Sequence, residues 1–297
     1  MRTSIRTVFI VGLLCFAPAF AAGADSGGFE QQPVSGAVVA IIIDDLGNHG
    51  LDSARIAALP GPVACAVLPH TPHGRAVAEQ AHALGKEVLL HLPLEALSNN
   101  SLLGDGAIKL DDSASTVARV LHENLQSIPH VVGINNHMGS LLTRHPGHMG
   151  WLMQALQDTG HLFFVDSVTT RHSVAFEVAR EYSLPAVKRD IFLDRQRNPD
   201  YVLQQFEKLV ARALDKGYAT AIGHPFPETL EMLEAQLPRL RDMGVTLISV
   251  GDMIRHQNEM GHRDRPATHW ARASSAASPA AVVSGATVVM PQLQESQ

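Results

Sequence analysis

The stretch Val38-Val39-Ala40-Ile41-Ile42-Ile43-Asp44-Asp45-Leu46-Gly47 constrains this chain more than any other. Six apolar residues run without polar alternation into two adjacent carboxylates, and a glycine follows Leu46. So short an apolar run, rich in Val and Ile, reads as a strand covered on both faces, as strands are in a parallel sheet wrapped by helices. Asp44 and Asp45 then stand at the strand's carboxyl end. Open parallel sheets and β/α barrels bind their ligands at that end. Two like charges side by side there repel each other unless a metal ion or a proton neutralises one of them.

The pattern repeats along the chain. Apolar runs at 63–68, 87–91, 131–134, 162–165, 185–187, 218–222 and 245–250 read as further strands. Helical periodicity separates them at 49–59, 73–84, 113–127, 146–159, 173–182, 200–216 and 229–243, the last continuing through Pro238. Alternation of this kind calls for a parallel sheet with helices on its faces. The expected fold is α/β, a deformed or incomplete β/α barrel of seven to eight mostly parallel strands. Polar residues end strands throughout the chain, and a barrel gathers all of those ends into one mouth. A doubly wound sheet would gather only the ends near its switch point. Neither nucleotide-binding glycine pattern, GxGxxG or GxxxxGK[ST], follows any of the strands.

The flanks differ in composition. Arg2 and Arg6 precede an apolar segment, Val8–Phe16, and then the small residues of Ala19-Phe20-Ala21. This is the three-part pattern of a secretory signal peptide, and the segment is too short to span a membrane. Residues 1–22 are therefore expected to be a leader cleaved after Ala21 or Ala22, with export to the periplasm. Residues 23–37 read as a linker, 38–258 as the folded domain and 259–297, rich in Ala, Ser and Pro, as a disordered tail. Without the two leader arginines, 21 basic residues face 29 acidic ones, a net charge of −8. No basic cluster interrupts that balance, which argues against a nucleic-acid partner. Cys65, the one cysteine left after the leader, lies in an apolar run and reads as a buried, inert thiol. The sequence sets no oligomeric state.

The chemistry is concentrated at the strand ends. Asp44 and Asp45, His91 and Glu95, Asn135, Asn136 and His137, Asp166, and His224 each follow an apolar run. A lone histidine there would mean little, but this many acids and imidazoles at one rim form a candidate active site. Aspartate and histidine with an open position suit zinc or a similar divalent ion. Such an ion lowers the pKa of bound water to about 7 and polarises a carbonyl oxygen. A carboxylate beside it can accept a proton from water, and a histidine across the mouth can protonate a leaving group. Those parts suit the hydrolysis of an amide or an ester.

The order and spacing of five blocks resemble the divergent polysaccharide deacetylases, a branch of the NodB-like carbohydrate esterases. The blocks are Ile-Ile-Asp44-Asp45-Leu-Gly, His91-Leu-Pro93-Leu-Glu95, Asn135-Asn136-His137-Met138-Gly139-Ser140, Phe164-Val165-Asp166-Ser167 and Ile222-Gly223-His224-Pro225, within about 38–254. The resemblance implies a metal-dependent deacetylase acting on a glycan such as peptidoglycan. It makes Asp44 the general base, Asp45 and His91 metal ligands, His224 the general acid and Asp166 the residue that orients it. The family's His-x-x-x-His motif has Glu95 at its second histidine. Its third ligand is therefore expected to be His137, with Glu95 as the alternative. Its Arg-Pro motif has no clear counterpart, and Asn135-Asn136-His137 stands near its place. Asn135, Asn136 and Ser140 are expected to line the substrate groove. Loss of the motif histidine keeps a second reading open, a catalytically weak or inactive relative that binds glycan through the same groove. A phosphodiesterase on the same barrel is disfavoured by the lack of a basic cluster to hold phosphate.

Overall fold

The computed structural model describes residues 36–49 and 51–263. The expected leader, nearly all of the expected linker, and the tail beyond residue 263 lie outside the described residues. Strands and helices alternate in the order β1 (Ala37–Leu46), α1 (Leu51–Ala57), β2 (Ala64–Val67), α2 (Gly74–Ala83), β3 (Val88–Leu94), α3 (Ala114–Ser127), β4 (Val131–Met138), α4 (Pro146–Thr159), β5 (Phe163–Asp166), α5 (Ala175–Glu181), β6 (Ala186–Lys188), β7 (Ile191–Phe192), α6 (Pro199–Lys216), β8 (Tyr218–Gly223), α7 (Pro227–Gln236), β9 (Val245–Leu247) and α8 (Val250–Arg263).

Every strand pairing is parallel. From β1 the ladder runs one way through β2, β3, β4 and β5 to β6, and the other way through β8 to β7. Only Arg189 and Asp190 separate β6 from β7, so a single extended segment bonds first to β5 and then to β8. The Arg189 amide donates to the Asp166 carbonyl at 2.9 Å and the Asp190 amide to the Thr220 carbonyl at 2.8 Å, so the change of partner falls between adjacent residues. That segment bridges the two ends of the curled sheet and gives the deformed α/β barrel that the sequence predicts. β9 adds to the first residues of β1, Ala37–Val39, on the edge that β2 occupies higher up.

Two apolar layers follow from the two-residue period of the strands. Val39, Ile41, Ile43, Cys65, Val67, Leu90 and Phe164 face outward and pack under the helices. Val38, Ala40, Ile42, Ala64, Ala66, Leu89, Phe163, Val165, Val187 and Ile222 face inward and fill the barrel. Gly133 on β4 makes room for the Phe163 ring, which a Cβ at that position would meet at 2.3 Å. Cys65 is buried, and burial pushes its thiol up to about 11, so it has the inert character read from its apolar run.

The structure corrects several element boundaries. Residues 245–250 were expected to be one strand, but β9 ends at Leu247 and α8 begins at Val250. Met253 and Ile254 of α8 close the barrel's floor against the inner layer. Glu87 caps this helix from the foot of β3, accepting from the amides of Val250 at 2.7 Å and Gly251 at 3.0 Å. The folded domain thus continues to Arg263, past the expected boundary at 258. The helix expected over 229–243 ends as α7 at Gln236, and a 3-10 turn over Leu237–Arg239 holds Pro238, which has no amide proton to continue it. β3 and β4 run three and four residues further than their apolar runs, so His91, Asn135, Asn136 and His137 lie within strands.

Candidate active site

Alternation carries the inner layer upward into a polar mouth. Above Leu89 on β3 comes His91; above Gly133 on β4 come Asn135 and His137; above Ile222 on β8 comes His224; above Ile42 on β1 comes Asp44. Asp45, one residue further, would point outward in a regular strand. It joins the same site because its own backbone turns, with φ at +61°, and because the register of β1 against β2 slips between Ile43 and Leu46. A left-handed conformation is uncommon for a residue other than glycine, and it marks a strained position at the mouth.

Asp45, His91 and His137 converge on one point. The Oδ1 atom of Asp45 lies 2.9 Å from His137 Nδ1 and 3.1 Å from His91 Nε2, and the two imidazole nitrogens are 3.1 Å apart. The remaining ring nitrogens are committed elsewhere. His91 Nδ1 donates to Asn135 Oδ1 at 2.9 Å, and His137 Nε2 donates to the Leu102 carbonyl at 3.2 Å. Each ring is thereby held with one lone pair turned to the centre, as outer partners hold metal-binding histidines. Asp45 Oδ1 is itself buried with no hydrogen-bond partner. A tetrahedral ion with bonds of about 2.0–2.1 Å would space such donors roughly 3.3 Å apart, close to the triangle observed. The three residues could therefore hold a metal ion.

The electrostatics agree with the geometry. Burial works to raise the Asp45 carboxyl, but the imidazoles of His137 and His91 outweigh it and hold the group well below the usual carboxylate range. Burial likewise disfavours a charged His91, yet the carboxylates of Asp44 and Asp45 prevail and raise its pKa. The centre of the cluster favours positive charge. Asp44, 3 % exposed, is pushed upward by burial, against the pull of His91 and His224. Its Oδ1 accepts from Asn135 Nδ2 at 2.7 Å, and its Oδ2 lies 3.6 Å from His91 Nε2.

His224 faces the cluster from β8, its Nε2 3.7 Å from Asp45 Oδ2. The residue that orients it is Asp194, not Asp166. Asp194 accepts from His224 Nδ1 at 2.9 Å, from the His224 amide at 2.5 Å and from Thr229 Oγ1 at 2.7 Å. Burial opposes the imidazolium, but the Asp194 hydrogen bond and the charges of Asp45, Asp194 and Asp44 outweigh it and raise His224 to about 9. Asp166 shares the outward face of β5 with Phe164. Its carboxylate takes Ser173 Oγ at 2.7 Å and the amides of Val168 at 2.8 Å and Phe176 at 3.3 Å. Those bonds hold the turn after β5, where Val168 has φ at +47°, and the start of α5. Asp194 was missed because Ile191-Phe192-Leu193 is too short an apolar run to register as a strand. Its signal is nonetheless the same, apolar residues ending in a carboxylate.

Of the residues expected to line the substrate groove, two are turned into the protein and Ser140 is partly exposed. Asn135 and Asn136 are buried, 0 % and 1 % exposed, and their amides are spent inside the protein. Asn135 links His91 to Asp44, while Asn136 donates to the Met138 carbonyl at 2.8 Å and accepts from the Ser167 amide at 2.9 Å. Ser140 Oγ accepts from the Leu97 amide at 3.0 Å. The alternative ligand Glu95 gives its carboxylate to the Leu110 amide at 2.7 Å and stands outside the cluster. These residues position the site and its loop.

Fold and site together define an α/β barrel with an Asp-His-His cluster, a buried carboxylate and an Asp-held histidine at the carboxyl ends of its strands. The sequence profile of the divergent polysaccharide deacetylases matches residues 41–254, and the chain belongs to that family. It is 35 % identical over 224 residues to the uncharacterized protein YibQ of Escherichia coli K12, covering 75 % of this chain and 69 % of that one. It is 36 % identical over 219 residues to an uncharacterized protein of Haemophilus influenzae Rd, covering 74 % and 77 %. Its fold resembles the crystal structure of the uncharacterized protein ATU2773 of Agrobacterium tumefaciens C58, with a TM-score of 0.70 at 22 % identity, covering 73 % of this chain and 89 % of that one. Among the described residues, no helix is long and apolar enough to cross a membrane.

Proposed function

We propose that this chain is an exported, periplasmic hydrolase that removes acetyl groups from an N- or O-acetylated cell-envelope polysaccharide such as peptidoglycan. The observation that carries this reading is the triangle of Asp45 Oδ1, His91 Nε2 and His137 Nδ1, with Asp44 on one flank and His224 on the other. Asp45, His91 and His137 would hold a divalent ion, zinc by the chemistry of the donor set. Such an ion supplies Lewis acidity toward the acetyl carbonyl and toward water.

The chain's own residues supply the proton transfers. Asp44 accepts a proton from the attacking water. Its partner Asn135 fixes the carboxylate in the mouth and also fixes the tautomer of His91. His224, its ring held through Nδ1 and its charged form favoured by Asp194, presents a proton on Nε2 to the departing amine or alcohol. Asp45, its side chain 35 % exposed, keeps one side of the cluster open to substrate. Presence of both an acid and a base favours an enzyme over a glycan binder.

Acetate release from chitin oligomers and peptidoglycan tests the reading. Wild type should release acetate, and Asp44→Asn should lose about 10²–10⁴-fold in rate while keeping its fold. If wild type releases none with zinc, cobalt, nickel or manganese supplied, yet binds the glycan, the enzyme reading fails and the binder takes its place.

A further inference from the structure

From the guanidinium groups around His224 we infer that the site selects an anionic glycan, one that carries a carboxylate or phosphate next to the reacting acetyl group. This inference rests on the glycan reading above and adds the charge of the substrate. Two aromatic rings flank His224, Phe192 at 5.3 Å and Phe226 at 5.5 Å between ring centroids. Each ring carries arginine. Arg197 lies 4.2 Å from the centroid of Phe226, and Arg195 and Arg189 lie 5.9 and 4.8 Å from that of Phe192. A guanidinium over an aromatic face is held in place by the ring's quadrupole and keeps its planar donor edge free.

Three of the carboxylates nearest these arginines are committed to other partners, while Glu228, two residues beyond Phe226, keeps a buried Oε2 without a hydrogen-bond partner. Asp190 pairs with Arg212 and accepts from the Thr220 amide. Asp194 is saturated by His224 and Thr229, and Asp166 by Ser173 and two amides. Arg189 donates inward, to the carbonyls of Ser167 and Val168, both at 2.7 Å. Arg195 and Arg197 are exposed, and among the described residues neither forms an ion pair. The chain as a whole carries a formal charge of −6, which would repel an acidic polymer. Two guanidiniums without an ion pair, each one aromatic ring away from the proton donor, set positive charge against that field. Their fork of N–H donors matches a carboxylate or a phosphate in bidentate fashion.

Isothermal titration of the zinc-supplemented protein separates the possibilities. The probes are an N-acetylglucosamine tetramer, a peptide-free peptidoglycan oligomer with its lactyl carboxylates free, the same oligomer with those carboxylates amidated, and a phosphorylated N-acetylglucosamine oligomer. The free acid should bind about tenfold tighter than its amide, with the preference shrinking as salt rises. Preference for the acid or for the phosphate over the neutral tetramer identifies which anion the site takes. In Arg195→Gln/Arg197→Gln the ratio of acid to amide affinity should fall toward one, and Arg195→Lys/Arg197→Lys should restore part of it. Equal affinity for the acid, its amide and the phosphorylated oligomer in wild type, or an anion preference unchanged in the glutamine variant, overturns the inference. Acetate release from the neutral tetramer distinguishes that result from failure of the deacetylase reading. Turnover with a ratio of one sinks only the anion preference, and absence of any glycan binding sinks both.

Discussion

The Asp194–His224 pair makes a quantitative prediction about stability. Raising an imidazole from 6.5 to about 9 corresponds to roughly 3 kcal/mol of folding free energy, at about 1.4 kcal/mol per pH unit. The sign follows from proton counting. Below about pH 6.5 the imidazole is protonated in both folded and unfolded chains, and the full contribution is present. Between about 6.5 and 9 only the folded chain keeps the proton, so stability falls by about 1.4 kcal/mol per pH unit. Above about 9 the contribution is gone. Urea unfolding followed by circular dichroism, in chelator-treated protein so that no cation competes for Asp44 and Asp45, measures this directly. Wild type should lose about 3 kcal/mol more than His224→Gln across that window. Asp194→Asn should lie between them, because Asp45 and Asp44 still favour the charged ring. If the wild-type and His224→Gln profiles stay parallel from about pH 6 to pH 10, His224 does not titrate as the structure requires and the reasoning fails.

Three further outcomes are expected. Removing a cluster donor by His91→Ala should weaken zinc binding by more than the roughly 100-fold typical of losing an outer partner, while circular dichroism stays native; full zinc content after dialysis would refute the ligand assignment. Gly133→Ala drives a Cβ to 2.3 Å from the Phe163 ring, inside a packed barrel where the cost is about 1–3 kcal/mol or more; an unchanged urea midpoint would show that the ring can give way. Glu87→Ala removes the cap from α8 and should cost about 1–2 kcal/mol, which the same unfolding assay reads; a neutral result would mean that the barrel's floor is held by apolar packing alone.

Much of this molecule is legible in its sequence because strand burial leaves a local signature. The run from Val38 to Ile43 needs cover on both faces, and only a helix-wrapped parallel sheet provides it. Asp44, His91, Asn135, His137 and His224 could be placed at one mouth because each ends or follows an apolar run, and parallel strands bring such ends together. Asp45 was legible as a neighbour, but its entry into the site depends on a left-handed backbone that Asp45 itself adopts.

What the sequence could not decide is which strand-end side chain faces in. Asp166 follows an apolar run as plainly as Asp44 does, yet alternation along β5 turns it toward α5, where it holds a strained turn. Whether a residue is in or out depends on the register of its strand against two neighbours, which is set across the whole sheet. Asp194 reaches His224 because β7, two residues long, is held against β8 by the segment that bridges the barrel. So short a strand has no stability of its own, and its apolar run is too brief to be read as a strand. Its position, and with it the partner of the candidate acid, exists only once the barrel has formed.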